Sequence, residues 1–123
     1  MNDLFIIDSY VDEREFRNYI NSLFIKKGYE KVVIDDVRIS DNNKKNDNDI
    51  LIKKGNIYYT VQIYLNTNIG NKEISDTIKD MEYEKVSAGI IITNNYVSNE
   101  IKEMANKKLI QIWDRNVLEK DIN

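Results

Sequence analysis

A strand–turn–strand pattern between residues 49 and 65 constrains the fold of this 123-residue chain more than any other feature. Two segments typical of β-strands flank Gly55-Asn56, a dipeptide that favours a two-residue hairpin turn. The register that follows from this turn pairs Ile50 with Val61, Ile52 with Tyr59 and Asp49 with Gln62. Because directly opposed residues project from the same face of a sheet, Asp49, Gln62 and Tyr64 are predicted to share one face.

Hydrophobic spacing predicts the elements that surround this hairpin. Apolar residues three and four positions apart indicate helices, and runs of β-branched residues indicate strands. The predicted elements are a helix over 12–27 that ends at Gly28, a strand over 29–39, a polar loop over 40–48, the hairpin over 49–65, a helix over 72–84, an apolar strand over 88–93 that is covered on both faces, a helix that begins at the N-cap Ser98, a strand over 109–113 and a helical turn over 116–120. This order predicts one α/β domain, residues 1–123, with a mixed β-sheet flanked by helices.

Composition removes several classes of site. The chain contains no cysteine, histidine or proline, which excludes zinc fingers, thiol nucleophiles, Ser-His-Asp triads and disulfides. A net charge of −3 argues against broad electrostatic capture of nucleic acid. No apolar run approaches the ~18–20 residues of a membrane span, and residues 1–8 lack the basic region of a signal peptide. We therefore expect a cytoplasmic protein with no membrane partner.

The polar face of the hairpin carries the chemistry that remains. A carboxylate from Asp49 and an amide oxygen from Gln62 are hard donors of the kind that Mg²⁺ prefers. Metal-assisted phosphodiester hydrolysis needs such donors together with a cation or base that orients the attacking water. The alternative interpretation is a solvent-exposed polar face on a half-exposed hairpin. The spacing of the residues leaves both interpretations open.

A family resemblance favours the first interpretation. The segments that carry it are, in chain order, Glu15-Phe16, Leu23, Lys27-Gly28-Tyr29-Glu30, Asp49-Ile50-Leu51-Ile52, Tyr58-Tyr59-Thr60-Val61-Gln62, Ala88-Gly89-Ile90-Ile91-Ile92-Thr93 and the helix–strand segment over 101–109. With these separations, residues 16–118 resemble the Mrr-like type IV restriction endonuclease domain, a branch of the PD-(D/E)xK nuclease superfamily. The resemblance implies a restriction-endonuclease-like fold, DNA as partner, Mg²⁺ as cofactor and phosphodiester hydrolysis.

The resemblance also assigns roles by position. Asp49 matches the family's metal-binding aspartate, and Gln62 matches the acidic-or-amide position of its Q-x-K motif. The lysine of that motif falls at Tyr64, which is neutral at pH 7 because tyrosine has a pKa near 10. A replacement cation is therefore expected from the next helix, at Lys72 or Lys79. The alternative for both lysines is an ordinary position facing solvent.

Glu15, on the first helix, is expected to approach the same metal, so that Asp49, Gln62 and Glu15 form the ligand set. Its alternative is a first-turn glutamate favoured by the helix dipole. Two functions follow: a Mg²⁺-dependent DNA endonuclease in restriction or DNA processing, or an inactive nuclease fold that binds nucleic acid or a protein. Relatives usually carry a separate recognition domain, so target choice is expected from a protein partner or from a homodimer, which double-strand cleavage also requires.

Overall fold

A computed structural model of the chain describes residues 13–32 and 50–122. The helices and strands are, in chain order, α1 (Glu13–Lys27), β1 (Glu30–Lys31), β2 (Ile50–Lys54), β3 (Ile57–Tyr64), α2 (Asn71–Glu84), β4 (Ala88–Thr93), α3 (Asn99–Lys107), β5 (Ile110–Trp113) and α4 (Arg115–Ile122). The prediction of helices around a mixed sheet is confirmed. Most of the strand predicted over 29–39, and the polar loop over 40–48, lie outside the described residues.

The strands form one five-stranded sheet in the order β1-β2-β3-β4-β5. The pairs β1–β2 and β2–β3 are antiparallel, whereas β3–β4 and β4–β5 are parallel and are joined by the crossover helices α2 and α3. The predicted hairpin register is confirmed for Ile50 opposite Val61 and Ile52 opposite Tyr59. Gly55 has a φ of +63°, as a turn of this kind requires. The third predicted pair, which includes Asp49, lies outside the described residues.

Each face of the sheet packs against its own helices. The face toward α1 and α4 includes Val61 and Ile90, and its cluster also contains Phe16 and Trp113. The opposite face, toward α2 and α3, carries Ile91, which packs with apolar side chains from these two helices. All six residues of β4 are buried, as predicted for an apolar strand covered on both sides.

Local signals in the sequence set several boundaries of the elements. Helix α1 ends before Gly28, whose φ of +92° is the left-handed conformation that glycine adopts easily. Helix α3 begins after Ser98, whose side chain accepts a hydrogen bond from the backbone N–H of Ile101 at 3.2 Å. No helix within the described ranges 13–32 and 50–122 is long and apolar enough to cross a membrane.

A glycine in β4 brings α2 unusually close to the sheet. A Cβ atom on Gly89 would lie only 2.9 Å from Thr77 Cγ2 and 3.4 Å from Met81 Sδ, both on α2. A larger residue at this position would therefore push α2 away from the strands. The close approach places the third turn of α2 directly over the polar side chains of β3.

Candidate functional site

The polar face of β3 is buried, not solvated. Gln62 is 7% exposed and Thr60 is fully buried, while Tyr64 is half-buried. The reason is topological: β3 has β2 on one side and β4 on the other, and α2 covers this face. The alternative interpretation of the alternation, a solvent-exposed polar face, is therefore wrong for β3, the part of this face that the structure describes.

Burial of Gln62 is compensated by a carboxylate from the neighbouring helix. The Nε2 atom of Gln62 donates a hydrogen bond to Oδ2 of Asp80, a partly buried residue of α2. A buried amide without such a partner would cost roughly 1–3 kcal/mol of stability. The bond also orients the Gln62 amide and brings a negative charge to the site, although the two residues are 18 positions apart in the chain.

Asp80 was missed by the sequence analysis. The apolar residues Ile74, Ile78 and Met81 set the expected inner face of α2, and Asp80 was not singled out beside them. A signal was nevertheless present. Thr77 and Asp80 follow the same helical spacing one position away from the apolar stripe, so they are expected to flank it on the inner side of the helix. Thr77 is fully buried, with its hydroxyl bonded to a backbone oxygen of the preceding turn.

A second buried polar group lies on the same face, two residues before Gln62. The hydroxyl Oγ1 of Thr60 is buried and has no hydrogen-bond partner among the described residues. Thr60 pairs with Leu51 on one side and Gly89 on the other, so its side chain sits at the centre of the sheet under α2. Unpaired buried hydroxyls are rare in stable interiors because they lose hydrogen bonds to water.

Tyr64 is the residue that the resemblance places at the motif lysine. It follows Gln62 by two residues, projects from the same face and pairs with Thr93 of β4. Its ring packs against the apolar cluster between the sheet and the helices α2 and α3. The side chain therefore contributes packing area at this end of the strand, where a lysine would contribute positive charge.

Lys72 lies at the start of α2, with a side chain that is 81% exposed. Its ammonium group is 3.1 Å from Asp76 Oδ2, and this hydrogen bond raises the pKa of Lys72. Eight residues separate Lys72 from Asp80, or roughly 12 Å along a helix axis. The structure therefore does not bring Lys72 to the Gln62–Asp80 pair. Lys79 adjoins Asp80 in sequence but is exposed.

Glu15 is exposed on α1, in the layer on the opposite side of the sheet from Gln62. The structure does not bring these two residues together either. Asp49 lies outside the described residues, immediately before Ile50. Its predicted place beside Gln62 remains a prediction from the hairpin register.

The donor atoms at this site suit a hard divalent cation. Gln62 offers an amide oxygen and Asp80 a carboxylate, and both are ligand types that Mg²⁺ takes while it keeps several waters. Within residues 13–32 and 50–122, no group of three or more acidic, histidine or cysteine side chains forms a complete metal site. Gln62 and Asp80 are two oxygen donors on the described part of the chain, and a further carboxylate, from Asp49, is an expectation from the hairpin register.

Comparison with known proteins agrees with the resemblance. A family model described as "Restriction endonuclease", for the Mrr-type catalytic domain, matches residues 9–121. No curated protein and no solved structure matches the chain. The match to this family covers almost the whole chain, including β3 with Gln62 and α2 with Asp80. The chain therefore belongs to the Mrr-type restriction endonuclease family.

Proposed function

We propose that this protein is a Mg²⁺-dependent DNA endonuclease whose site consists of Asp49, Gln62 and Asp80, with activity weakened by Tyr64. The observation that carries the proposal is the buried contact between Gln62, at the acid-or-amide position of the family motif, and the carboxylate of Asp80. A metal site buried within the fold requires this combination of oriented oxygen donors and negative charge.

Asp80 provides negative charge that Gln62 cannot give to a divalent cation. A glutamine carries none, so Asp49 and Gln62 alone would give a divalent cation a single carboxylate. Asp80 supplies a second one from α2 and at the same time holds the Gln62 amide in one orientation. When bound, Mg²⁺ would polarise the scissile phosphate and lower the pKa of a water molecule.

Tyr64 limits the rate in this proposal. A lysine would offer a positive charge to the phosphate as negative charge develops in the transition state, whereas a tyrosine offers one neutral O–H donor. Removal of one such stabilising group costs on the order of 10²–10³ in rate in other enzymes. We therefore expect nicking of DNA to be slow.

The test compares Asp80→Asn with Asp76→Asn. Asparagine keeps an acceptor for Gln62 Nε2 but removes the charge, and Asp76 lies one turn away on the same helix with its carboxylate on Lys72. Two measurements are made: nicking of supercoiled plasmid with Mg²⁺, and binding of Mn²⁺ followed by electron paramagnetic resonance. Asp80→Asn and Asp49→Ala should weaken both by about 10–100-fold or more, as loss of groups around a metal does. Asp76→Asn should change neither.

Unaltered Mn²⁺ binding in Asp80→Asn would contradict the assignment of Asp80. Loss of nicking in Asp76→Asn to the same extent would show that the assay responds to any charge change on α2. Circular dichroism of each variant checks that the fold is retained.

A specific observation favours a second function, an inactive nuclease fold that binds nucleic acid or a protein. Tyr64 packs into an apolar cluster, and Lys72 contacts Asp76 instead of the Gln62–Asp80 pair. In this case the wild-type protein binds DNA or a partner but nicks no plasmid under any metal condition. Binding of a labelled duplex without cleavage, with Mn²⁺ bound or not, would place this function first.

For double-strand cleavage we propose a homodimer, because two strands require two sites. Light scattering at micromolar concentration should then give about twice the chain mass of 14.5 kDa. A mass of one chain would leave target choice and paired cleavage to a protein partner.

A further inference from the structure

A cavity of about 570 Å³ opens between the end of α1, the hairpin end of β2, and β5 with α4. Its walls include Lys27, Tyr29, Lys54, Gln111, Trp113 and Val117. Tyr29 and Trp113 belong to the core on the α1 side of the sheet, whereas Gln62 and Asp80 lie on the α2 side. The cavity is therefore separate from the site proposed for hydrolysis.

The lining of the cavity contains two basic residues, in a protein that is negative overall. Two lysines line it, and no carboxylate does so among the described lining residues, although the whole chain has a net charge of −3. Lys27 comes from the last turn of α1, and Lys54 from the last residue of β2. Two lysines from distant parts of the sequence thus line one opening, an arrangement that suits an anion.

Aromatic rings hold both ammonium groups in place. Lys54 Nζ is 5.1 Å from the centre of the Tyr29 ring, and Lys27 Nζ is 5.7 Å from that of Trp113. The two rings are 5.9 Å apart in an edge-to-face arrangement. Cation–π contacts of this kind restrict flexible lysine side chains, so both charges are already positioned beside the cavity.

A hydrogen bond orients the amide in the wall between the lysines. Gln111 Oε1 accepts a bond from Trp113 Nε1 at 3.0 Å. Burial raises the pKa of Tyr29, so its hydroxyl stays neutral and adds no negative charge. The wall therefore combines aromatic surface, a fixed amide and two cations.

We propose that this cavity binds a nucleoside monophosphate, with the phosphate at Lys27 and Lys54 and the base against Tyr29 and Val117, beside Trp113. Its volume lies within the usual range for small-ligand sites, roughly 300–1,000 Å³, and leaves room for more than a phosphate ion. The same chemistry is available from two sources, a free nucleotide or the 5′-phosphate end of a DNA strand. The proposal does not depend on hydrolysis at Gln62.

Trp113 is the one tryptophan in the chain and lines the cavity, so its fluorescence reports binding directly. The protein is titrated with adenosine 5′-monophosphate in the presence of EDTA, which keeps a metal site on the α2 side out of the measurement. Adenosine and inorganic phosphate are titrated in parallel. We expect a saturable change with the nucleotide, much weaker binding of phosphate and no binding of adenosine.

Lys54→Gln and Lys107→Gln form the matched pair of variants. Both remove one charge from an exposed lysine, but Lys107 lies at the end of α3 and does not line the cavity. Lys54→Gln should weaken nucleotide binding about tenfold, since a hydrogen bond to a charged group is lost. Lys107→Gln should leave binding unchanged, and Lys54→Arg should retain most of it.

Three results would overturn the proposal. The first is that the nucleotide causes no saturable change in fluorescence or melting temperature. The second is that adenosine or phosphate binds as tightly as the nucleotide, and the third is that Lys107→Gln weakens nucleotide binding as much as Lys54→Gln does. A short oligothymidylate with and without a 5′-phosphate separates the two sources. Tighter binding of the phosphorylated oligonucleotide than of the free nucleotide assigns the cavity to a strand end, and the reverse order assigns it to the free nucleotide.

Discussion

The two faces of β3 are almost equally buried but are built from different chemistry. Tyr59, Val61 and Ile63 face α1 and α4, whereas the alternating positions that begin at Thr60 face α2 and are polar. On the first face, burial itself is favourable, at about 25 cal/mol per Å² of apolar surface. On the second, each polar group loses water and needs a partner within the protein.

The difference shows where stability and function separate in this fold. The α1 face would be satisfied by many apolar side chains of similar volume. The α2 face needs Asp80 at one particular place, because Gln62 Nε2 must find an acceptor. Polar groups that are retained in a central strand at such a cost are candidates for chemistry, and here they lie within the segment that matches the restriction endonuclease family.

The largest effect is expected from truncation of either apolar layer. Ile90 and Ile91 are adjacent in β4, fully buried and on opposite faces. Ile90→Ala and Ile91→Ala should each lower the free energy of unfolding by about 2–5 kcal/mol, because each leaves a cavity. Guanidinium denaturation measures both. A much smaller loss for Ile91→Ala would mean that the α2 side is packed less tightly than the α1 side.

Tyr64→Lys tests whether the polar face lacks only a positive charge. Nicking of plasmid with Mg²⁺ should increase, by up to the order of 10²–10³ that one transition-state donor supplies. Asp49→Ala in the same background should abolish the gain. A thermal melt is needed because Tyr64 also packs against the apolar cluster. Robust cleavage by the wild type that Asp49→Ala abolishes would mean that a lysine from elsewhere acts, and the role of Tyr64 as the limiting residue would be wrong.

Replacement of two buried threonines by valine should change the free energy of unfolding by smaller amounts and in opposite directions. Thr60→Val should raise the free energy of unfolding by about 1 kcal/mol, because it replaces a buried hydroxyl that has no partner among the described residues. Thr93→Val is the control: Thr93 Oγ1 accepts a bond from the backbone of Asn95 at 3.2 Å, and its loss should cost about 1 kcal/mol. Urea denaturation of both variants measures the difference. Destabilisation by Thr60→Val would indicate that its hydroxyl has a partner in the folded protein.

The smallest effect concerns pH on the α1 side. Burial is the largest cause that raises the pKa of Tyr29 above its ordinary value of 10.0. A raised pKa means that the unfolded chain loses its proton first. The contribution of neutral Tyr29 to the free energy of unfolding is therefore complete below pH 10, and it is lost as the pH rises toward the pKa of Tyr29 in the folded protein. Thermal melts above pH 10 should fall less steeply in Tyr29→Phe than in the wild type. Equal slopes would contradict the shift.

Local patterns determined a large part of the fold. Gly55-Asn56 set the hairpin register, Gly28 ended α1, Ser98 began α3, and the apolar run over 88–93 became a buried central strand. Each of these outcomes depends on the backbone preferences or alternation of a few neighbouring residues. Such information is present in a short stretch of sequence. The family resemblance singled out Gln62 as a candidate site residue.

Only the tertiary structure decided what surrounds Gln62. Asp80 is 18 residues away and reaches it because a parallel crossover folds α2 back over β3, at a distance that Gly89 permits. The same geometry places Lys72 beside Asp76, and it places Glu15 on the side of the sheet opposite Gln62. Alternation along β3 indicated which side chains share a face, but local spacing carries no information about which distant helix covers that face. The packing of α2 on the sheet determined which residue became the partner of Gln62. A buried amide forms its hydrogen bond with the groups that packing brings within hydrogen-bond distance.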